Sequence, residues 1–259
     1  MRVPAVVRRA TDPLLGGIRV PILFGVNRGL WWSLISSGSG YGSGRRATAQ
    51  MGLLELLIRP GDVVWDVGAH IGFVTLAVAR RAGPTGSVHA FEPSAQNRAL
   101  LGRHVRWNGL TNVTVHPFAL SDADGESAFG GSGTSKMFAL GAGTEVVQVR
   151  KAATLVAQGL CARPTFMKLD VEGAEAETLA GALEVLPPSA RLVIAMHTRE
   201  ADQRCTALLG DAGFTLLPSR ELEACRRGTW QSDPDLFCVG PDAIAAGTDD
   251  VAMLRSAGF

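Results

Sequence analysis

The sequence predicts an α/β fold with a mostly parallel sheet. From Leu53 onward, short apolar runs alternate with amphipathic stretches, which is the order of elements in repeated β–α units. The first unit is the most distinct, because the apolar run Val63–Trp65 leads through a glycine-containing turn into the helix-like segment Phe73–Ala82. With 259 residues and 46% hydrophobic content, the chain can bury one substantial core. We therefore predict a single α/β domain over residues 51–259, after an appendage over residues 1–50.

The individual elements follow from this alternation. Short connections favour parallel strands with right-handed crossovers, and the last two strands are expected to complete an antiparallel end of the sheet. Residues Gly125–Gly143 are dense in Gly, Ser and Thr, which predicts a mobile loop or an irregular hairpin. The predicted helices are Met51–Ile58, Phe73–Ala82, Ser94–Trp107 and Glu200–Gly213, and the predicted strands are Val63–Trp65, Ser87–Phe91, Asn112–Phe118, a fourth strand from Phe166, Arg191–Met196, Phe214–Leu217 and Leu236–Val239.

The turn after the first strand places a carboxylate and two glycines at a helix N-terminus. It reads D-x-G-x-x-x-G from Asp66 to Gly72, which differs from the G-x-G-x-x-G turn that seats a pyrophosphate. A carboxylate there would repel a pyrophosphate but can accept a hydrogen bond from an ammonium group. Gly68 and Gly72 allow a ligand to lie against the backbone. The alternative is a glycine turn in which Asp66 only caps the helix.

A second acidic residue, Glu92, follows the next predicted strand, Ser87–Phe91. Because the carboxyl ends of parallel strands share one edge of a sheet, Glu92 is expected near Asp66. An acid in this place can accept hydrogen bonds from both hydroxyls of a ribose. The alternative is a favourable charge at a helix N-terminus before Pro93. The pairing with Asp66 favours a role in ligand binding.

Four stretches between Pro60 and Glu175 read PGDVVWDVGAHIG, VHAFEPSAQN, NVTVHPFALSD and FMKLDVEGAE. Through them the chain resembles the S-adenosylmethionine-dependent methyltransferases and, within these, the FkbM family. The resemblance implies a Rossmann-like class I methyltransferase fold, with a seven-stranded, mostly parallel sheet and helices on both faces. It also implies that S-adenosyl-L-methionine lies across the carboxyl ends of the first strands. Methyl transfer in known members is often to hydroxyls of sugars or polyketides.

The resemblance adds further candidates for cofactor contact. Methyltransferases of this class commonly bind adenine after strand three, where Ser121 and Asp122 stand, although both are also ordinary turn residues. His70 lies inside the first turn and is a candidate to contact the methionine carboxylate or the substrate, although the family more often has Asn there. The complete predicted cofactor-binding set is Asp66, Gly68, His70, Gly72, Glu92, Ser121, Asp122 and Asp170.

A second group of charged residues follows the predicted fourth strand. Asp170 and Glu172 are expected to crowd its carboxyl edge, so that one of them has a raised pKa or both share a cation or a hydrogen-bond donor. Lys168 lies one alternation before Asp170 and is expected on the same face, where it can balance the acid or orient a substrate oxygen. Helix capping is the alternative, and it accounts fully for Glu172 and Glu175. Asp170 precedes the cap and is therefore the stronger candidate.

His197 ends the predicted strand Arg191–Met196, on the same edge as Asp66, Glu92 and Asp170. Methyl transfer is an in-line displacement at carbon with an excellent sulfonium leaving group, so the protein mainly aligns the acceptor and removes its proton. A histidine with an ordinary pKa suits that role. Asp170 is expected either to orient His197 or to hold a divalent metal ion with it. The predicted catalytic residues are His197, Asp170 and Lys168.

Composition narrows the classes of partner. A formal net charge of +1 gives no general attraction to nucleic acid, so a small-molecule hydroxyl acceptor is the expected partner. A homo-oligomer is possible. The cysteines form no CxxC pair, so neither a zinc site nor a dense disulfide framework is predicted, and a cytoplasmic location is the expectation. The cysteines are Cys161, Cys205, Cys225 and Cys238.

The first fifty residues differ in character from the rest. Arginines such as Arg2, Arg8 and Arg9 stand among apolar residues, followed by Trp31-Trp32 and a Ser/Gly-rich stretch. The apolar pieces are too short to span a membrane and show no signal-cleavage arrangement. We expect a helical appendage rather than sheet. A lid or packing on the core is favoured over an anchor at a membrane surface.

These observations predict an S-adenosylmethionine-dependent O-methyltransferase acting on a hydroxyl of a small natural product or sugar. Methylation of nitrogen is an alternative, but the sequence from Asp170 to Gly173 does not resemble the N/D-P-P-Y/F signature of many such enzymes. A second alternative is an inactive partner subunit that binds the cofactor without turnover. Turnover assays with hydroxyl and amino acceptors distinguish these three possibilities.

Overall fold

The computed structural model describes residues 17–39, 48–130, 139–140, 145–230, 232–245 and 250–256. The helices are α1 (Thr48–Leu57), α2 (Phe73–Ala82), α3 (Ala95–Trp107), α4 (Ala152–Ala157), α5 (Glu175–Ala182), α6 (Arg199–Asp211), α7 (Arg220–Arg227), α8 (Pro241–Ala245) and α9 (Asp250–Ser256). The strands are β1 (Arg19–Pro21), β2 (Trp31–Ser33), β3 (Val63–Val67), β4 (Ser87–Phe91), β5 (Val113–His116), β6 (Ala119–Ser121), β7 (Gly125–Gly130), β8 (Ala139–Leu140), β9 (Glu145–Lys151), β10 (Phe166–Leu169), β11 (Arg191–Ala195), β12 (Thr215–Pro218) and β13 (Asp235–Val239).

A seven-stranded sheet organises the chain, in the order β12-β13-β11-β10-β3-β4-β5. All its strands run in one direction except β13, which pairs antiparallel with both β11 and β12. The predicted parallel sheet with an antiparallel end is therefore confirmed. The chain builds β3, β4 and β5 outward in one direction and then returns to β10 on the other side of β3. This reversal makes the carboxyl edge between β3 and β10 the place where a ligand is expected in such sheets.

Alternate residues of each strand face two separate hydrophobic clusters, as the period of two requires. Within β10, Phe166 belongs to one cluster, whereas Met167 and Leu169 belong to the other. Helices α2 and α3 cover the first cluster, through residues such as Leu76. Helices α5 and α6 cover the second, through residues such as Leu179. The sheet therefore has helices on both faces, as predicted.

Three helices begin at side chains that cap them. Ser94, Thr198 and Ser219 precede α3, α6 and α7, and each hydroxyl accepts a hydrogen bond from the backbone N–H three residues later. A Ser or Thr cap satisfies one of the N–H groups that has no partner inside the helix. These caps fix where the chain leaves the sheet edge and enters each helix.

A second sheet of four strands, β6-β9-β7-β8, follows β5. The predicted third strand, Asn112–Phe118, is shorter than expected, because it ends at His116 and the chain turns at Pro117 into β6. Ser121 therefore lies in the second sheet, paired with Lys151, and not at the end of strand three. The first part of Gly125–Gly143 is the regular strand β7, which pairs with β9 and β8. Residues 131–138 and 141–144 lie outside the described residues.

The described part of the N-terminal segment is not the helical appendage that we expected. Residues 19–21 and 31–33 form an antiparallel pair of strands, followed by a 3-10 turn at Leu34–Ser39. The expectation that this region contains no sheet was wrong. Within β2, Trp31 is exposed whereas Trp32 and Ser33 are buried, and the backbone pairing with β1 defines the strand. Arg2, Arg8 and Arg9 lie outside the described residues.

This strand pair packs on the core through Trp32. The Trp32 ring is fully buried, stacks on His104 with centroids 3.8 Å apart, and meets Phe73 edge-on. His104 Nε2 accepts a hydrogen bond from the Ser33 N–H, and its Nδ1 donates to the Ile71 carbonyl. Burial lowers the pKa of His104 to about 4, so the ring is neutral. The N-terminal segment is thereby connected to the turn Asp66–Gly72. None of the helices in the described ranges is long and apolar enough to cross a bilayer.

The two adjacent tryptophans provide a test of this packing. Trp32→Ala is expected to lower the free energy of unfolding by about 3–5 kcal/mol, because it removes a fully buried ring. Trp31→Ala is the matched control and is expected to cost about 1 kcal/mol, since Trp31 is 36% exposed. Urea unfolding measures both values. Equal losses for the two variants would contradict the proposed attachment through Trp32.

Candidate functional site

The turn after β3 adopts a conformation that only this sequence pattern permits. Gly68 and Gly72 have φ angles of 80° and 91°, in the left-handed region that glycine tolerates. A Cβ at position 68 would lie 1.8 Å from the carbonyl oxygen of Asp170, so glycine is required there by packing as well. The N–H groups of Gly68 and Ala69 donate to the Phe91 carbonyl. The turn is therefore held against both neighbouring strands.

The first half of the site consists of the turn Asp66–Gly72 and Glu92, and the buried Glu92 carboxylate holds it together. Its Oε2 accepts a hydrogen bond from the His70 N–H at 2.8 Å. Its Oε1 accepts from the Ser94 N–H at 2.9 Å and from Asn97 Nδ2 at 3.2 Å. Burial raises the pKa of Glu92, and these hydrogen bonds act in the opposite direction. The carboxylate thus joins the turn after β3 to the start of α3, and its remaining lone pairs can accept from a ligand.

Asp66 is fully buried at the carboxyl end of β3. Its Oδ2 accepts a hydrogen bond from the Thr75 hydroxyl at 2.6 Å. Within the described ranges its Oδ1 accepts no hydrogen bond, and it lies 3.8 Å from Lys168 Nζ. Burial raises the pKa of Asp66, while the Lys168 charge and the Thr75 hydrogen bond lower it. Oδ1 is therefore a buried acceptor that faces the Lys168 ammonium group. The alternative in which Asp66 only caps the helix is not observed, because Gly72 is the N-cap residue, without a side-chain cap, and the partner of Asp66 is the Thr75 hydroxyl inside α2.

Lys168 connects the two halves of the site. Its ammonium group is buried between two carboxylates, 2.9 Å from Asp170 Oδ2 and 3.8 Å from Asp66 Oδ1. The predicted alternation of Lys168 and Asp170 on one face of the strand is thus observed. Burial opposes the charge of Asp170, but the charges of Lys168 and His197 outweigh it and lower the pKa of Asp170. Asp170 is consequently ionised at neutral pH.

His197 lies at the end of β11 and is oriented by Glu175. Its Nδ1 donates to Glu175 Oε1 at 2.6 Å, and the same oxygen accepts from the Gly173 N–H. Glu175 is fully buried, and its Oε2 has no hydrogen-bond partner in the part of the chain that the structure describes. Of the two roles expected for Asp170, orientation of His197 falls to Glu175 at Nδ1, whereas Asp170 Oδ1 lies 3.5 Å from the opposite nitrogen, Nε2. Glu175 had been explained as a helix cap, and sequence reasoning missed this role.

The protonation state of His197 also differs from the expectation. Burial disfavours the imidazolium, but the hydrogen bond to Glu175 and the surrounding carboxylates outweigh burial and raise its pKa to about 9. At neutral pH the ring is therefore charged. A charged ring cannot accept a proton, so the ordinary pKa assumed from the sequence was wrong.

Glu172 completes a cluster around His197 Nε2. Its Oε2 lies 3.6 Å from Nε2, and it has a φ of 54°, which is unusual for a residue other than glycine. The side chains of Asp170 and Glu172 are 36% and 37% exposed, so the cluster opens to solvent. Burial raises the pKa of Glu172, although the His197 charge lowers it. One ligand atom from each of Asp170, Glu172 and His197 lies within 4.8 Å of the others.

Two predicted site residues lie apart from these contacts. Ser121 and Asp122 are hydrogen-bonded to each other, Oγ to Oδ1 at 3.2 Å. The Ser121 carbonyl packs against Gly181 of α5, where a Cβ would lie 2.0 Å away. Ser121 also lines a cleft of about 410 Å³ between the second sheet and the start of α5. The other lining residues are Ala123, Asp124, Gly125, Glu126, Ser127, Val149, Gly173, Ala174 and Glu177.

The cleft adjoins the cluster through Gly173. This residue lines the cleft, and its N–H donates to the same oxygen of Glu175 that accepts from His197. Three carboxylates line the cleft, on Asp124, Glu126 and Glu177. A molecule in the cleft would therefore contact Gly173, next to the loop that carries Glu172, and meet acidic and small polar side chains.

A separate group of potential metal ligands lies in the core. His89 Nδ1 is 3.0 Å from His116 Nε2, and Cys161 Sγ is 3.6 Å from the same nitrogen. Sequence spacing gave no indication of this group, because its members come from β4, β5 and the segment after α4. The four cysteines, including Cys161, are buried and free.

Comparison with known proteins identifies the family. The "Methyltransferase FkbM domain" family matches residues 66–216, which is more than half of the chain. The protein belongs to the FkbM methyltransferase family. The expected resemblance is thereby confirmed, and the fold is that of class I S-adenosylmethionine-dependent methyltransferases.

Two curated relatives are similar to this FkbM-family protein. The 31-O-demethyl-FK506 methyltransferase FkbM of Streptomyces tacrolimicus is 31% identical, over 63% of this chain and 76% of the relative. The hexuronic acid methyltransferase AglP of Haloferax volcanii is 30% identical, over 58% of this chain and 62% of the relative. The chain thus spans less than two thirds of AglP. Among solved structures, cofactor-bound Rv0187 from MTB is 16% identical with a TM-score of 0.51, over 93% of this chain and 98% of that one, which shows the shared fold.

Substitution of two glycines with positive φ tests the packing of the turn Asp66–Gly72. Gly68→Ala is expected to destabilise the protein by at least about 2 kcal/mol more than Gly109→Ala, because only the former places a Cβ against the Asp170 carbonyl. Gly109 also has a positive φ but has open space around it, so its substitution costs only about 1–2 kcal/mol of backbone strain. Urea unfolding compares them, and equal costs would contradict the close approach.

The raised pKa of His197 predicts a pH-dependent stability. The pKa of His197 is about 9 in the folded state and about 6.5 in the unfolded state, so its protonation stabilises the fold. This contribution to the free energy of unfolding is fully present below about pH 6.5 and is lost as the pH rises through about 9. Metal-free protein is expected to lose up to about 3 kcal/mol of unfolding free energy over this interval. Urea unfolding at several pH values measures the loss, and His197→Gln should reduce its slope. Identical slopes in both proteins would rule out His197 as its source.

Proposed function

We propose that this FkbM-family protein is an S-adenosylmethionine-dependent O-methyltransferase that methylates a hydroxyl of a small natural product or a sugar. The observation that carries the proposal is the position of Lys168, which joins Asp66 beside the cofactor turn to Asp170 beside His197. A group bound at the turn and a hydroxyl bound at His197 would therefore meet at one sheet edge. The name of the Streptomyces relative, which specifies a 31-O-demethyl substrate, supports oxygen as the atom methylated.

The residues of the first half fit S-adenosylmethionine by their chemistry. Asp66 Oδ1 is buried without a hydrogen-bond donor, as expected of an oxygen that accepts from an ammonium group. Glu92 at the end of β4 would accept from the ribose hydroxyls, and the His70 N–H fixes the orientation of its carboxylate. When bound, S-adenosylmethionine supplies an electrophilic methyl group on a sulfonium. Gly68 and Gly72 hold the turn in the conformation that leaves its outer face open to a ligand.

The second half would align the acceptor and handle its proton. The acceptor oxygen attacks the methyl carbon as the bond from that carbon to sulfur breaks, and the hydroxyl proton leaves to a nearby group. Asp170 and His197 would orient the hydroxyl, and the Glu172 carboxylate would receive this proton, because the His197 ring is already charged at neutral pH. Lys168 keeps Asp170 ionised and in place. Because acidic and small polar side chains line the adjoining cleft, we infer that it admits a neutral, hydroxyl-rich acceptor.

Complementary variants test this division of roles. Glu92→Gln is expected to weaken S-adenosylhomocysteine binding by at least about tenfold, since it replaces a charged acceptor of hydrogen bonds. His197→Ala is expected to lower turnover by at least about 100-fold while affinity changes less than about threefold. Calorimetry and methyl-transfer assays with sugars and polyketide alcohols provide the two measurements.

The surface variant Glu223→Gln serves as the control for both, because Glu223 is exposed, pairs with Arg227 on α7 and does not line the cleft. Absence of cofactor binding in the folded wild-type chain would overturn the proposal. Tight cofactor binding with no turnover on any acceptor would instead indicate a partner subunit.

A further inference from the structure

We propose that Asp170, Glu172 and His197 hold a divalent metal ion, of the Mg²⁺ or Mn²⁺ type, at the acceptor end of the site. The proposal rests on the methyltransferase function above and adds to it a site that polarises the acceptor hydroxyl. Two carboxylates and one imidazole offer two hard oxygen ligands and one nitrogen ligand, a set that suits these ions. All three side chains come from the carboxyl edge of β10 and β11.

The distances suit three ligands of one ion. Asp170 Oδ1 and Glu172 Oε2 lie 3.5 Å and 3.6 Å from His197 Nε2. Neighbouring ligands of a six-coordinate ion with bonds of about 2.1 Å are about 3 Å apart, so these two distances would shorten by roughly half an ångström, and all three ligand atoms lie within 4.8 Å of one another. The two carboxylates are partly exposed, which leaves the remaining coordination positions open to water and to a substrate oxygen.

The contacts behind the ligands have the form found around bound metals. Glu175 accepts from His197 Nδ1 at 2.6 Å, and this hydrogen bond presents Nε2 toward the two carboxylates. A carboxylate that holds the far nitrogen of a histidine is the usual support of an imidazole ligand. Lys168 holds Asp170 Oδ2 in the same way, which leaves Oδ1 facing the histidine.

Charge balance points to a cation as well. Four carboxylates, on Asp66, Asp170, Glu172 and Glu175, surround one ammonium group and one imidazole. Counted by side-chain type with His197 protonated, the group has four carboxylates for two cations, and Asp233 is a further acidic residue near Glu172. Oδ1 of Asp66 and Oε2 of Glu175 are buried without hydrogen-bond partners. Buried anionic oxygens in this arrangement require positive charge nearby.

Protonation of His197 is the competing way to balance these charges. An imidazolium at Nε2 would make ion pairs with Asp170 and Glu172, and the proton and the metal would then compete for the same nitrogen. If the metal site exists, this competition makes the affinity for the metal fall as the pH falls. The two explanations differ in whether the resting chain takes up an ion at all.

The test is titration of chelator-treated, full-length protein with Mn²⁺, followed by electron paramagnetic resonance of the free ion, with and without S-adenosylhomocysteine. We expect one Mn²⁺ per chain, displaced by excess Mg²⁺. Glu172→Gln and His197→Asn should each weaken binding at least tenfold. Cys161→Ala removes a ligand of the separate His89, His116 and Cys161 group and should change the affinity less than twofold.

The outcomes separate the metal site from the proposed function. No Mn²⁺ uptake by a chain that binds S-adenosylhomocysteine would overturn the metal site and leave the methyltransferase proposal standing. Uptake that Cys161→Ala abolishes, or that both site variants leave unchanged, would likewise overturn it. Uptake sensitive to Glu172→Gln in a chain that does not bind S-adenosylhomocysteine would support the metal site and refute the methyltransferase proposal. Circular dichroism checks folding, and Glu172→Gln decides if His197→Asn does not fold.

Discussion

The buried ammonium group of Lys168 is the interaction on which the arrangement of the site depends. It lies on the central pair of strands, where the order of the sheet reverses, and faces Asp66 on one strand and Asp170 on the other. Removal of one partner from a buried ion pair typically costs about 3–5 kcal/mol, because the other charge is left without compensation. The two carboxylates can therefore lie close together at one edge only because Lys168 stands between them.

Each half of the site is then fixed by one further carboxylate. Glu92 binds backbone N–H groups on both sides of the β4 end, and Glu175 binds His197 and the Gly173 N–H. Both of these carboxylates are buried, so their positions are determined by packing and not by solvent-exposed loops. Asp170 and Glu172 are partly exposed, and these side chains would contact the ligands. Buried Glu92 and Glu175 therefore position the site, whereas the partly exposed carboxylates would take part in the chemistry.

The N-terminal strand pair and the second sheet contact different parts of the site. His104 contacts Trp32 and Ser33 on one side and the Ile71 carbonyl on the other, so the N-terminal segment supports the turn Asp66–Gly72 through His104. The second sheet instead approaches the site from the acceptor side, where Ser121 packs against Gly181 and the cleft opens beside Gly173. On the proposal that the cleft admits the acceptor, differences in acceptor among relatives are expected in the second sheet, because its residues line the cleft.

The sequence by itself determined the α/β alternation, the glycine turn after β3 and the position of Asp66, Glu92, Asp170 and His197 at strand ends. These features depend on local periodicity and on glycine conformations, which a single chain segment records. Only the tertiary structure decided that Glu175 binds His197, that Ser121 belongs to a second sheet, and that residues near Trp32 form strands. The physical reason is that these contacts join segments separated by crossovers, and the alternation of one segment does not specify which other segment it meets.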